Sequence, residues 1–268
     1  MITVLGARGY IGSALVEFLN SAGEHVYAPR RGEENIFQKP LGHVIYSIGL
    51  TSDFRSRPHD TVRAHVSFLN EFLEKANFDT FTYLSSTRVY SGLAEATPMA
   101  DLCVNPCRAS DLYNLTKLTG EALCAQVSGR PSRIVRLSNV VGLGRVPAEN
   151  FINTILKEAI SGKLIMRSAR NSSKDYVLLE DVVRVLPQIA LKGSKMVYNL
   201  ASGINLENHE WTDRLSEHLD VEVAYQEDLP EIIFPKVDIS NLRDEFTFSP
   251  SPVLDSIPSL IQYYKNLK

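Results

Sequence analysis

The sequence predicts an α/β protein with a doubly wound parallel sheet and a smaller C-terminal unit. Strand and helix patterns alternate along its 268 residues, and a glycine-rich turn joins the first strand to the first helix. Further along, a tyrosine and a lysine stand four residues apart, on one face of a predicted helix. Such alternation places helices on both faces of a parallel sheet, with ligands at the carboxyl ends of its strands.

The N-terminal segment has the pattern of a dinucleotide-binding turn. Ile2–Leu5 is an apolar run typical of a buried strand, and a helix is predicted over Tyr10–Ala22. Gly6 permits the tight turn between them, Gly9 lets the backbone approach a diphosphate, and Gly12 lets helix and strand pack closely. The phosphates then lie at the N-terminus of the helix, which predicts a Rossmann-type fold.

The remaining elements follow in alternation. Strands are predicted at His25–Ala28, Val44–Ile48, Thr80–Leu84 and Arg133–Leu137, and helices near Pro58–Ala76 and Asp111–Gln126. Residues 1–145 with 176–205 are expected to form the dinucleotide-binding domain, and 146–175 with 206–268 a smaller substrate-binding domain. Only 15 residues, Pro29–His43, follow the second strand, too few for a helix, a strand and another helix.

Tyr113 and Lys117 form the predicted catalytic pair. A phenol with a pKa of ~10 is a poor proton donor or acceptor near neutral pH, and a fixed cation beside it lowers that pKa. Such a tyrosine can exchange a proton with a sugar hydroxyl or a ketone. The pair therefore predicts proton transfer coupled to chemistry on a bound dinucleotide.

Several further motifs occur in a characteristic order. They are Ser85–Tyr90, Arg136–Gly142, Lys174–Val177, Glu180–Val183, Tyr198–Leu200, Asp238–Leu242 and Phe248–Pro250. With them, nearly the whole chain resembles the extended short-chain dehydrogenases/reductases called NAD-dependent epimerases/dehydratases, most of which act on nucleotide sugars. The spacing of Gly6 and Gly9 differs by one residue from the G-x-G-x-x-G form of the turn.

The resemblance implies roles for individual residues. Ser86 would hydrogen-bond the reacting oxygen, Tyr113 would be the general acid/base, and Lys117 would lower its pKa and hold the nicotinamide ribose. The expected cofactor-binding residues are Gly6, Arg8, Gly9, Tyr10, Ile11, Gly12, Arg30, Arg31, Ile48, Gly49, His65, Tyr113 and Lys117. The expected substrate-binding residues are Ser86, Thr87, Arg88, Asn139 and Lys174. His65 stands where the family usually has asparagine, and simple packing is its alternative interpretation.

The charge after the second strand bears on the choice of cofactor. A carboxylate there would bond the ribose 2′-hydroxyl of NAD, whereas arginine favours the 2′-phosphate of NADP. This chain has Arg30 and Arg31 there, with Arg8 in the glycine turn. NADP is therefore the preferred cofactor and NAD the alternative. A solvated surface loop is the other interpretation of the arginine pair.

The expected reaction is hydride transfer at a sugar carbon, with C4 preferred. In the 4,6-dehydratases of this family Asp and Glu follow the catalytic threonine, whereas Thr87 and Arg88 follow Ser86 here, which argues against dehydration. A nucleotide-sugar ketoreductase and an epimerase both fit. Reduction of a non-sugar ketone or aldehyde is the first alternative, and an NADP-binding regulator without turnover is the second.

Composition indicates a soluble cytoplasmic enzyme with a small-molecule substrate. The 28 basic and 31 acidic residues leave no basic excess for nucleic acid or an anionic membrane. Neither a signal peptide nor an apolar run of ~18 residues occurs. The cysteines Cys103, Cys107 and Cys124 are too few for a disulfide scaffold and have no partner pair at metal-ligand spacing. The helices near Pro58–Ala76 and Asp111–Gln126 resemble those that pair in family dimers, so a homodimer is expected.

Overall fold

The computed structural model describes residues 1–51, 53–146 and 150–266. The strands in this part are β1 (Ile2–Leu5), β2 (Val26–Tyr27), β3 (His43–Tyr46), β4 (Thr80–Ser86), β5 (Ser132–Leu137), β6 (Asn139–Val141), β7 (Lys163–Met166), β8 (Ser173–Leu178), β9 (Val197–Leu200), β10 (Asn205–Glu207) and β11 (Glu222–Tyr225). The α-helices are α1 (Tyr10–Ser21), α2 (Pro58–Val62), α3 (Phe68–Lys75), α4 (Leu112–Ala125), α5 (Phe151–Ile160), α6 (Leu179–Lys192), α7 (Asn208–Ser216), α8 (Ser240–Phe246) and α9 (Ile257–Asn266).

A six-stranded parallel sheet with the order β2-β1-β3-β4-β5-β9 forms the centre of the protein. Helices α1 and α6 cover one face of this sheet, and α3 and α4 cover the other. The predicted doubly wound α/β fold is therefore confirmed. The strand order reverses between β1 and β3, and ligands of such sheets bind in the crevice at the carboxyl ends of those strands.

The sheet is short on the β2 side, as the sequence predicted. Strand β2 pairs with β1 only through Val26 and Tyr27, and among the described residues one 3₁₀ segment, Glu34–Gln38, is the sole helical element between β2 and β3. In the described part of the chain no strand lies beyond β2. The predicted strand His25–Ala28 is thus reduced to its two central residues, Val26 and Tyr27.

The helix predicted over Pro58–Ala76 is present but interrupted. Between α2 and α3 the backbone forms a π-helical segment, Arg63–Ser67. His65 lies in this segment and is fully buried. Segments of this type are frequent at functional sites, and this one lies next to α4, which carries Tyr113 and Lys117.

A second group of buried side chains lies away from the main sheet. It joins α5, β7, α7 and α9 around Trp211, whose ring meets that of Tyr176 edge-on at 4.9 Å between centroids. The three-stranded sheet β10-β8-β6 lies beside it. Val237, Ile239 and Leu242 instead join the core of the main sheet. None of the helices among residues 1–51, 53–146 and 150–266 is long and apolar enough to cross a membrane.

Candidate active site

A cleft of about 570 Å³ opens at the carboxyl ends of β1, β3, β4 and β5. The sequence-predicted residues that line it are Gly9, Tyr10, Ile11, Ile48, Gly49, Ser86, Thr87, Arg88, Tyr113, Lys117, Asn139 and Lys174. Cofactor and substrate candidates therefore share one continuous space. Among the residues described, no cluster of three or more histidine, cysteine or acidic side chains could hold a metal ion.

The glycine turn forms a cradle at the start of α1. Gly6 has a φ of +84°, and a Cβ there would lie 2.8 Å from the carbonyl carbon of Ser47. A Cβ on Gly12 would lie 2.3 Å from the Gly6 oxygen, so the turn tolerates no side chain at either position. The N-cap residue of α1 is Gly9, which has no side chain to cap the first N–H groups of the helix. This arrangement fits the diphosphate of a dinucleotide, held by backbone N–H groups at a helix N-terminus.

We expect Gly6→Ala to reduce both folding stability and dinucleotide affinity. Gly23→Ala is a matched control, because Gly23 has a similar φ of +75° but a Cβ there would meet nothing within 4 Å. In the control, the free energy of unfolding should fall only by the cost of placing alanine in a left-handed backbone conformation, about 1 kcal/mol. The additional loss in Gly6→Ala, measured by urea unfolding and by titration with NADPH, reports the contact with Ser47. Equal losses in the two variants would contradict the cradle.

Tyr113 lies on the first turn of α4 and is 4 % exposed. Its hydroxyl forms hydrogen bonds with the side chains of Ser86, the last residue of β4, and Thr51. Burial raises the pKa of Tyr113, and the two hydrogen bonds and the charge of Arg88 lower it in part. Because the net pKa lies above its ordinary value, Tyr113 is a protonated phenol at neutral pH in the protein alone.

Lys117 lies one helical turn further along α4 and is 5 % exposed. Its Nζ donates to the Leu84 carbonyl oxygen at 2.8 Å and lies 5.9 Å from the ring centroid of Tyr113. Burial lowers the pKa of Lys117 to about 7, and the carboxylate of Glu121 opposes this effect. The positive charge that lowers the pKa of Tyr113 is therefore that of Arg88 rather than the predicted Lys117, which is desolvated and bound to a carbonyl group.

The lowered pKa of Lys117 predicts a pH-dependent stability. Between pH 7 and about 10.4 the unfolded chain keeps a proton on this lysine that the folded protein has released, so the free energy of unfolding should rise with pH in that window. One such group contributes at most about 1.4 kcal/mol per pH unit. Urea unfolding from pH 7 to 9 should show a smaller slope in Lys117→Met than in the wild type. Identical slopes would show that Lys117 keeps its proton in the folded state.

The imidazole of His65 lies behind Gly49, a residue that lines the cleft. Its Nε2 accepts the N–H of Leu50 at 3.2 Å, so Nδ1 carries the proton and donates to the Thr116 hydroxyl at 2.9 Å. Burial and the charge of Lys117 lower the pKa of His65 to about 2. A Cβ on Gly49 would lie 3.1 Å from the same Nε2. His65 is thus a neutral residue that joins the Gly49 loop to α4, rather than one that lines the cleft.

The three arginines expected to determine the preference for NADP over NAD lie at the surface. Arg8, Arg30 and Arg31 are exposed, and none forms an ion pair within the described residues. The carboxylate of the adjacent Glu33 is engaged by Lys39 at 3.0 Å and by the backbone N–H of Arg30. The guanidinium groups of Arg8, Arg30 and Arg31 are therefore available to a bound anion.

The opposite wall of the cleft carries the remaining substrate candidates. Asn139 donates from Nδ2 to the backbone oxygen of Asp175 at 2.8 Å. The Nζ of Lys174 lies 5.7 Å from the ring centroid of Phe234, and burial together with the charge of Arg88 lowers the pKa of Lys174. Thr87, directly after β4, is 7 % exposed.

Sequence reasoning did not assign Thr51, Phe54 and Asp175 to the site. Thr51 hydrogen-bonds Tyr113, and the Phe54 ring lies 5.4 Å from that of Tyr113. Asp175 accepts backbone N–H groups of Ser202 and Gly203 at 3.0 and 2.6 Å and so holds the loop after β9. Thr51 and Phe54 could have been sought from their position just after β3, because carboxyl ends of parallel strands meet at one edge.

Comparison with known proteins agrees with this geometry. Residues 2–201 match the NAD dependent epimerase/dehydratase family. The chain belongs to that family. The match covers the main sheet, the glycine turn and the residues around Tyr113, and it confirms the family that the sequence motifs indicated.

Individual relatives are more distant. The low-salt glycan biosynthesis protein Agl12 of Haloferax volcanii is 26 % identical over 180 residues, which are 65 % of this chain and 56 % of that protein. UDP-glucuronic acid 4-epimerase from Bacillus cereus, in complex with UDP-glucuronic acid and NAD, has a TM-score of 0.81 at 19 % identity and covers 100 % of this chain and 99 % of its own. RMD from Pseudomonas aeruginosa, complexed with NADPH, has a TM-score of 0.81 at 19 % identity, with 99 % of both chains covered. These structures share the fold of this protein.

Proposed function

We propose that this protein is an NADP-dependent oxidoreductase or epimerase that acts on a nucleotide sugar at C4. One observation carries the proposal. The hydroxyl of Tyr113, hydrogen-bonded to Ser86 and Thr51, lies in the same cleft as the uncapped start of α1. The cleft therefore brings a proton donor and a cradle for a dinucleotide diphosphate to one place.

The chain's own residues divide the work as follows. Backbone N–H groups around Gly9 bind the diphosphate, Ile48 and Gly49 form the wall beside the dinucleotide, and Lys117 binds the nicotinamide ribose. When bound, the cofactor supplies or accepts the hydride. Ser86 then orients the reacting sugar oxygen, and Tyr113 exchanges its proton with that oxygen.

The protonated Tyr113 suits the reduction of a ketone, which needs a proton donor. When a ketone is reduced, its carbon gains a hydride and its oxygen gains a proton, so that C=O becomes CH–OH. A tyrosine whose pKa is raised by burial holds that proton at neutral pH. An epimerase uses the same step in both directions, so retention of the cofactor through turnover would distinguish it from a reductase.

Cofactor preference is tested by the exposed arginines. We expect the combined change of Arg8, Arg30 and Arg31 to alanine to weaken NADPH binding by roughly 10-fold or more, because charge-assisted bonds to the 2′-phosphate are lost. NADH binding should change little. Arg243→Ala is the control. Arg243 is exposed and lies on α8, which packs against β9 at the edge of the sheet opposite β2. Equal losses for the two cofactors in calorimetric titration would refute the preference for NADP.

The function itself is tested by thermal shift with NADPH or NADH and a panel of UDP-, dTDP-, GDP- and CDP-linked sugars, followed by product analysis. Stabilisation by NADPH that increases with one nucleotide, together with conversion of the sugar, supports the proposal. Cofactor binding without a response to any nucleotide would favour the reduction of a non-sugar carbonyl compound. Binding without turnover of any substrate would favour a regulator.

We also propose that residues 146–175 with 206–268 form the substrate-binding unit. The second buried core, around Trp211, supports this unit, and β8 brings Lys174 from it to the cleft, whereas Val237, Ile239 and Leu242 pack in the core of the main sheet. Residues 147–149, near the start of this unit in the sequence, lie outside the described residues.

A further inference from the structure

Arg88 places a permanent positive charge beside the acid/base tyrosine. It follows Ser86 by two residues, on the helical turn Thr87–Tyr90. Its guanidinium carbon lies 5.8 Å from the ring centroid of Tyr113 and 5.2 Å from that of Phe54. A guanidinium stays ionised in proteins and offers five N–H donors in a planar fork.

These donors form no ion pair within the part of the chain described, although the carboxylate of Asp111 is near enough to act on the charge of Arg88. The one side-chain hydrogen bond that Arg88 forms there is a 3.5 Å contact with the backbone oxygen of Ser110. Arg136, by contrast, is buried and paired with Glu121 at 2.7 Å. A half-buried arginine that stacks on two rings and keeps its donors open to a cleft is arranged to bind an anionic ligand.

Charge elsewhere in the cleft supports this conclusion. Lys174 on the facing wall is close enough to Arg88 for the two charges to act on each other. The two acidic residues that line the cleft are both engaged, since Asp53 pairs with Arg57 and Asp175 accepts backbone N–H groups. Of the positive side chains that line the cleft, Arg57 is paired with Asp53 and Lys117 is assigned to the nicotinamide ribose, which leaves Arg88 and Lys174 for the substrate.

We propose that the substrate is a nucleotide-linked uronic acid and that Arg88 binds its C6 carboxylate. The proposal rests on the proposed function and names the substrate class of that site. In a pyranose that reacts at C4, the carboxylate is attached to C5, next to the reacting carbon, whereas the diphosphate is attached to C1 across the ring. A cation beside Tyr113 is therefore placed for the carboxylate, and Lys174 is left for the diphosphate.

The experiment compares matched pairs of neutral and acidic substrates. UDP-glucose with UDP-glucuronic acid and GDP-mannose with GDP-mannuronic acid are assayed with wild type, Arg88→Met and Arg88→Lys. The wild type should show a kcat/KM roughly 10- to 100-fold higher for the acid. Arg88→Met should lose most of this preference, and Arg88→Lys should keep part of it because the charge is retained without the planar fork. Arg167→Met is the control, since Arg167 is exposed, pairs with Glu158 and lies outside the cleft.

Three results would overturn the proposal. A wild type that prefers the neutral sugars would exclude a uronic acid while leaving nucleotide-sugar chemistry intact. An equal loss of affinity in Arg88→Met for the free nucleoside diphosphate and for the uronic acid would assign Arg88 to the diphosphate. Absence of binding to every nucleotide sugar would remove the proposed function and this proposal with it. Circular dichroism and thermal unfolding of both Arg88 variants establish that they are folded.

Discussion

Tyr113→Phe is expected to reduce turnover by roughly 10²- to 10⁴-fold while dinucleotide binding stays within a few fold of the wild type. The change removes only the hydroxyl that exchanges the proton, and it keeps the ring that packs on Phe54. Because the cradle at Gly6 and Gly9 is untouched, the cofactor should still bind. Steady-state turnover and calorimetric titration with NADPH measure the two effects separately.

Tyr83→Phe is the matched control for this variant. Tyr83 is fully buried on β4, and its hydroxyl has no hydrogen-bond partner among the described atoms. Removing it deletes a phenolic oxygen of the same kind without changing the cleft, so activity should persist and stability should hold or rise. Equal turnover in wild type and Tyr113→Phe would overturn the assignment of Tyr113 as the acid/base.

The fold could be predicted because its signals are local. The glycine turn, the apolar run Ile2–Leu5 and the spacing between Tyr113 and Lys117 each lie within one or two consecutive elements. The alternation of strands and helices along the chain then predicts a parallel sheet. Even the absence of a strand beyond β2 in the described part of the chain followed from a count of residues, since Pro29–His43 is too short for the elements that would build it.

The electrostatics of the site could not be predicted in the same way. A cation four residues from a tyrosine suggests a lowered phenol pKa, but Lys117 is buried and loses its own charge near neutral pH. The guanidinium of Arg88 lies over the rings of both Tyr113 and Phe54, and Phe54 is far from the other two residues in the sequence. Desolvation and long-range contacts of this kind depend on tertiary packing, which the periodicity of residues in the sequence does not reveal.

A buried ion pair beneath the active site carries the second large effect. Arg136 on β5 donates to Glu121 on α4 at 2.7 and 3.0 Å, and both side chains are less than a tenth exposed. Ser85, next to Ser86, donates to the same carboxylate at 2.5 Å. Arg136 also donates to the Tyr90 hydroxyl at 2.7 Å. The network therefore joins the end of β4, which carries Ser86, to the helix that carries Tyr113 and Lys117.

Glu121→Leu is expected to lower the free energy of unfolding by about 3–5 kcal/mol, because Arg136 would remain charged, buried and unpaired. The double variant Glu121→Leu/Arg136→Met should lose less than the single one, since it removes both charges at similar volume. Glu71→Leu is the control, because its pair with Lys75 is exposed and should contribute less than about 1 kcal/mol. Urea unfolding of all four proteins, wild type included, measures these differences.

The same substitution should reach the active site through Lys117. The carboxylate of Glu121 raises the pKa of that lysine against the effect of burial. Without it the pKa of Lys117 should fall further, so that less of the ammonium form is present at neutral pH and dinucleotide affinity decreases. A Glu121→Leu protein no less stable than Glu71→Leu would show that the buried pair does not stabilise the fold. An NADPH affinity equal to that of the wild type would show that the pair is not coupled to the site.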